Sequence, residues 1–100
     1  MTDNEIAKIF KALADEKRVA IIKLLQGGEL CACDIGEALN LSQSKLSYHM
    51  KIICESGIVT CRNAGKWSFY CINKQGVKYA AGILENFLEL KERNESSCKK

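Results

Sequence analysis

The sequence predicts a mostly α-helical domain that carries one β-hairpin, and three observations predict it. Apolar residues recur at helical spacing through the first half of the chain and again near its end. Between those stretches the pattern switches to alternation among β-branched and aromatic residues. The switches are punctuated by Gly27-Gly28 and Gly57, in a chain without proline. One hundred residues, 47% of them hydrophobic, suffice for one compact domain, yet a chain this small often shares its core with a partner. A single domain over residues 1–93 is therefore expected, with 94–100 (NESSCKK) as a loose tail.

The first 26 residues hold two helical patterns. Ile6, Ile9, Phe10 and Leu13 share a face of the first, and Asp15 is placed to cap the second, which carries Val19, Ile22 and Leu25. After a short extended piece, Asp34 and Glu37 have capping-box spacing at the head of a third helix, DIGEALN. The break LS leads into a fourth helix, QSKLSYHMKIICES, with Leu46, Met50 and Ile53 on one side and Ser44, Tyr48 and Lys51 on the other. IVTCR and KWSFYCI read as strands joined by NAG. From about Lys74 to Arg93 a long helix places Val77, Ala80, Ala81, Leu84 and Leu88 on one stripe, with Ile83, Phe87 and Leu90 beside it. That surface is wider than one small core needs, so part of it is expected to meet a second subunit.

Two short helices joined by a tight break and followed by a hairpin make a winged helix-turn-helix, whose second helix enters the major groove of double-stranded DNA. Ser42, Gln43 and Ser44 then offer hydrogen-bonding groups and a helix N-terminus to phosphates. Lys45, Ser47, Tyr48 and His49 come within reach of base edges or backbone, and Arg62 and Lys66 flank the wing turn. A net charge of +3, from 15 basic and 12 acidic residues, permits such a partner without requiring it. No apolar run approaches the ~20 residues of a membrane span, and MTDNEIAKIF has neither the basic nor the apolar region of a signal peptide, so a cytoplasmic protein is expected. One histidine, no clustered carboxylates with matching partners and no glycine-rich phosphate loop speak against an enzyme or a catalytic cofactor.

Six cysteines without an export signal, in a helix-rich chain, point to soft-ion ligands or redox sensors rather than to a disulfide framework. Cys31 and Cys33 immediately precede the third helix. Thiolates select soft ions and a helix N-terminus lowers a thiol's pKa, so this pair is expected to ionise more readily than free cysteine. Cys54 reads as packing at the edge of an apolar face. Cys61 and Cys71 are expected almost directly across the hairpin from one another, as half-buried filler.

FKALADEKRVAIIKLL, ELCACDIGEALNLSQSKLSYHMKIICESGIV and NAGKWSFYCI together resemble, in order and spacing, the three sequence blocks of the ArsR/SmtB family of bacterial metal-sensing repressors. The resemblance runs from about Glu5 to Leu90. It implies a homodimer, built through the first and last helices, that sits on operator DNA until an inducer lowers its affinity. ELCACD is similar to the arsenic/antimony and cadmium/lead repressors of that family, which place Cys-x-Cys-Asp before the recognition helix. The inducer implied is trivalent arsenic or antimony, held by Cys31 and Cys33. The arsenic repressors' usual third cysteine falls at Gly36 here, which leaves Cys98 or Cys54 as a third ligand, or two thiolates alone. No cysteine precedes Cys31, unlike the cadmium sensors that recruit one from an N-terminal extension, and the last helix has no histidine for the family's other metal site. Two alternatives stay open: a repressor sensing cadmium, lead, methylated arsenicals or oxidants through the same cysteines, or a small thiol protein that sequesters metal. The second leaves the recognition helix and wing unexplained.

Overall fold

The structure, a computed structural model, describes residues 1–92, so Cys98 and the 94–100 segment lie outside the described residues. The elements run α1 (Asp3–Leu13), α2 (Glu16–Leu25), β1 (Leu30–Cys31), α3 (Ala32–Leu39), α4 (Gln43–Glu55), β2 (Val59–Ala64), β3 (Trp67–Ile72) and α5 (Lys74–Asn86). The helix starts are written in short polar side chains. Thr2 and Glu5 form a reciprocal capping box at α1, and the Asp15 carboxylate accepts from Lys17 and Arg18 backbone N–H at α2. At α4 the Ser42 hydroxyl accepts from Lys45 N–H at 3.3 Å.

The third helix departs from its expected start. It begins at Ala32, with Cys31 as N-cap and Asp34 inside the first turn, so the spacing of Asp34 and Glu37 does not act as a capping box. The cause is tertiary: Leu30 and Cys31 pair with Tyr70 and Phe69, and the chain leaves that sheet edge directly into α3. The sheet is antiparallel with order β1-β3-β2. The extended piece before α3 is thus a third strand beside the hairpin.

The hairpin turns at Gly65-Lys66, one residue later than NAG suggests. In the resulting register Cys61 opposes Tyr70 and Thr60 opposes Cys71, one residue away from a Cys61–Cys71 pairing. Because side chains alternate faces along a strand, Cys61 and Cys71 project from opposite faces of the sheet and are not across from one another.

Ile21 and Leu25 of α2, Ile35 of α3, Met50 and Ile53 of α4 and Ile83 of α5 form the centre of the core, each essentially buried. Burying such a side chain stabilises by about 1.5–3 kcal/mol. The α2 stripe is Arg18, Ile21 and Leu25, with Val19 and Ile22 only partly covered. Glycine is needed where α5 docks. A Cβ at Gly76 would overlap the Gly57 carbonyl, which also accepts from the Asn73 side chain, and Gly57 itself has φ +82°.

α5 ends at Asn86, short of the expected Arg93. Ile83 is its one buried residue, while Leu84, Phe87, Leu88 and Leu90 are 59%, 61%, 77% and 90% exposed. Phe10 and Leu13 on α1, which packs beside α5, are also exposed. Among the described residues no helix is long and apolar enough to cross a membrane.

Candidate DNA-reading face and thiol site

α3 and α4 meet at a tight corner because Asn40 adopts the left-handed conformation (φ 54°) and Leu41 N–H bonds back to the Gly36 carbonyl at 2.9 Å. Leu46, Met50 and Ile53 hold α4 to the core, and Ser42, Gln43, Ser44, Lys45, Ser47 and Tyr48 are left exposed. That is the face a recognition helix presents to DNA. The Ser42 hydroxyl is occupied in capping and lies 3.4 Å from that of Ser44. Lys66, in the wing turn, borders the same cleft as Gln43 and Ser47.

Two residues assigned to this face from sequence are placed otherwise. His49 is only 8% exposed: its Nδ1 lies 3.1 Å from Nη1 of Arg18, itself 6% exposed. A guanidinium only donates, so in this contact Nδ1 is the acceptor. Arg18 also donates to the Lys11 carbonyl through Nε and Nη2, and thereby ties the end of α1 to α2 and α4. His49 faces this joint rather than a DNA groove, because i, i+3 and i+4 spacing puts it on the side of Leu46, Met50 and Ile53. Arg62 is exposed but engaged. It donates to both Glu29 carboxylate oxygens at 2.8 and 2.9 Å, and its guanidinium lies 4.5 Å from the Phe69 ring centroid. The Arg62 hydrogen bond holds the Glu29 carboxyl below its ordinary range.

That clip bears on the thiols. Glu29 immediately precedes β1, Cys31 opposes Phe69, and Arg62 opposes Phe69 from the other side. The row Cys31, Phe69, Arg62 thus crosses all three strands. Cys31 and Cys33 stand with their sulfurs 3.5 Å apart at the head of α3. Thiolates bind soft metal ions at about 2.3 Å, so one ion spans such a gap. The expectation of easy ionisation is not met at Cys31. The Asp34 backbone N–H at the helix start pulls its thiol pKa down, but the Asp34 carboxylate and the Cys33 thiol outweigh it, and the net shift is upward.

The other described cysteines do not join this pair. Among the described residues no three Cys, His, Asp or Glu side chains are grouped to hold an ion. Cys54 packs against the core at the far end of α4, where burial first and then Cys61 push its pKa to about 11. Cys71 lies 3.4 Å from the Thr60 hydroxyl, and Cys61 3.8 Å from Asn63 Oδ1. Sequence reasoning missed Arg18, Glu29 and Trp67. Arg18 and Glu29 carried no local signal, since their partners lie 31 and 33 residues away.

A family model described as bacterial regulatory protein, arsR family, matches residues 15–60. The arsenical resistance operon repressor of Bacillus subtilis is 40% identical over 92 residues, a match covering 89% of this chain and 85% of that protein. The chain belongs to the arsR family. The repressor of the same name from Escherichia coli is 43% identical over 79 residues, covering 78% of this arsR-family chain and 68% of that protein. The fold agrees: a homodimeric winged helix-turn-helix DNA-binding domain from Mycobacterium bovis, 22% identical, superposes with a TM-score of 0.69 over 96% of each chain. This family member is accordingly a DNA-binding transcriptional regulator with a winged helix, not an enzyme.

Proposed function

We propose that this arsR-family chain is a homodimeric repressor that leaves its operator when trivalent arsenic or antimony bridges Cys31 and Cys33. The observation that carries the reading is the placement of two thiols 3.5 Å apart on the strand-to-helix junction that feeds the reading helices. A ligand there acts on α3 and on the wing sheet together, since Cys31 belongs to both. The two relatives are named arsenical resistance repressors, which favours arsenic over other soft ions. The exposed faces of α1 and α5 and the turn that follows α5 are assigned to the dimer: together they expose Phe10, Leu13, Leu84, Phe87 and Leu88. DNA is read by Gln43, Ser44, Lys45, Ser47 and Tyr48, with Lys66 from the wing.

The test is fluorescence anisotropy of the reduced protein on DNA from upstream of its own gene, titrated with arsenite and in parallel with cadmium. Arsenite is expected to release the DNA and cadmium to be weaker. Release by neither ion in the wild type, or equal release in Cys33→Ser, refutes the assignment. Lys45→Ala is expected to weaken binding and lower the salt slope by about 0.9, the contribution of one phosphate contact.

A further inference from the structure

A cleft of about 640 Å³ lies between α3, the head of α4 and the wing. Its wall includes Cys33, Leu41, Leu46, Ser47, Trp67 and Tyr70. That volume falls within the roughly 300–1,000 Å³ of small-molecule sites, and a much smaller apolar cavity of about 150 Å³ holds benzene. Gly36, one turn along α3 from Cys33, also borders it and contributes no side chain.

We propose that this cleft receives the organic substituent of a trivalent organoarsenical whose arsenic is held by Cys31 and Cys33, with aryl groups favoured over methyl. The inference rests on the reading of those cysteines as the arsenic site. Two thiols are the full complement that R–As(OH)2 requires: two As–O bonds break, two As–S bonds form, and each thiol proton leaves with a hydroxide as water. Arsenic stays trivalent throughout. Its remaining bond goes to carbon, and one of its two sulfur anchors is on the cleft wall. At Gly36 a side chain would crowd the Leu41 carbonyl, 3.3 Å from the place of its Cβ, and among the described residues no third donor stands beside the pair. Trp67, Leu41 and Leu46 supply apolar and aromatic surface for a ring. The same cleft borders Gln43, Ser47 and Lys66, so a ring within it occupies space beside the groups assigned to DNA.

The test uses the reduced full-length protein with methylarsonous acid and phenylarsine oxide, each competed against a free small dithiol to cancel intrinsic As–S strength. Trp67, the single tryptophan, is the direct reporter. The phenyl compound is expected to gain about tenfold or more over methyl, relative to the free dithiol, and to change Trp67 emission where methyl does not. Glu37→Phe, at an exposed position on the cleft rim, is expected to erase the phenyl advantage while methyl binding stays unchanged. A phenyl-to-methyl ratio equal to that of the free dithiol, with Trp67 silent, overturns the cleft assignment and leaves the thiol site standing. Failure of both arsenicals and arsenite to bind, or binding that survives Cys31→Ser with Cys33→Ser, overturns both.

Discussion

The buried joint between α2 and α4 and the thiol edge between β1 and α3 are held by different physics. At the joint, Arg18 and His49 are almost fully enclosed, and every guanidinium nitrogen has a partner. At the edge, Cys33 is exposed and the fastening is a solvent-facing ion pair, Arg62 with Glu29, beside a ring. Buried charged groups are costly to leave unpaired, whereas exposed pairs contribute about 0–1 kcal/mol. The difference teaches how a ligand acts on such a molecule. Under the proposed reading, an ion captured at the edge acts on the Glu29–Arg62 clip and the β1–α3 junction, while Ile35 of α3 and Met50 and Ile53 of α4 stay anchored in the core.

Breaking the joint should have the largest effect on stability. Arg18→Ala leaves His49 Nδ1 without a donor and removes both guanidinium bonds to the Lys11 carbonyl, and is expected to cost about 3 kcal/mol, lowering Tm by roughly 10–20 °C in thermal melts. A fall below about 3 °C would show that the joint is not stronger than the edge. Cys33→Ser should reverse that profile, with Tm almost unmoved and arsenite affinity down by about 100-fold or more in a competition titration. A third contrast is chemical. With its pKa pushed up to about 11, Cys54 is expected to alkylate about 100-fold more slowly at pH 8 than a free cysteine of pKa about 8.5. Its rate should climb as pH rises toward 11, because the thiolate is the reactive form; mass-spectrometric mapping of iodoacetamide adducts reads this directly. Rapid labelling of Cys54 at pH 8 would place it outside the core. The smallest change belongs to Glu29→Gln, expected to leave Tm almost unmoved, with any fall shrinking further at high salt. The more telling measurement on that variant is the arsenite concentration needed to release DNA, which should shift if the clip links thiols to wing.

Much of this was legible along the chain. Asp15 caps the helix it precedes, Leu46, Met50 and Ile53 face inward, and Gly57 ends α4, because capping, periodicity and chain reversal depend on residues within one or two turns. The pairing of Cys31 with Cys33 was legible for the same reason, being two residues apart. What failed was whatever depended on a distant partner. His49 stands at helical spacing from Leu46, Met50 and Ile53, so its inward side was legible, but the arginine on another helix that meets it there was not. The offset of Cys61 from Cys71 follows from where the hairpin turns, and a shift of one residue exchanges faces.

By itself, then, the sequence determined the order of the helices and the Asp15 cap, the alternation that makes the wing, the polar head of α4 and the two adjacent thiols, all of them products of short-range hydrogen bonding and side-chain period. Only the tertiary structure decided that Cys31 is also a strand residue, that α3 begins at Ala32, that Arg62 is spent on Glu29 and that a cleft opens between Cys33 and Trp67. Those features come from segments about 30 residues apart being pressed together by a shared apolar core, and no local pattern records which surfaces that packing will bring face to face.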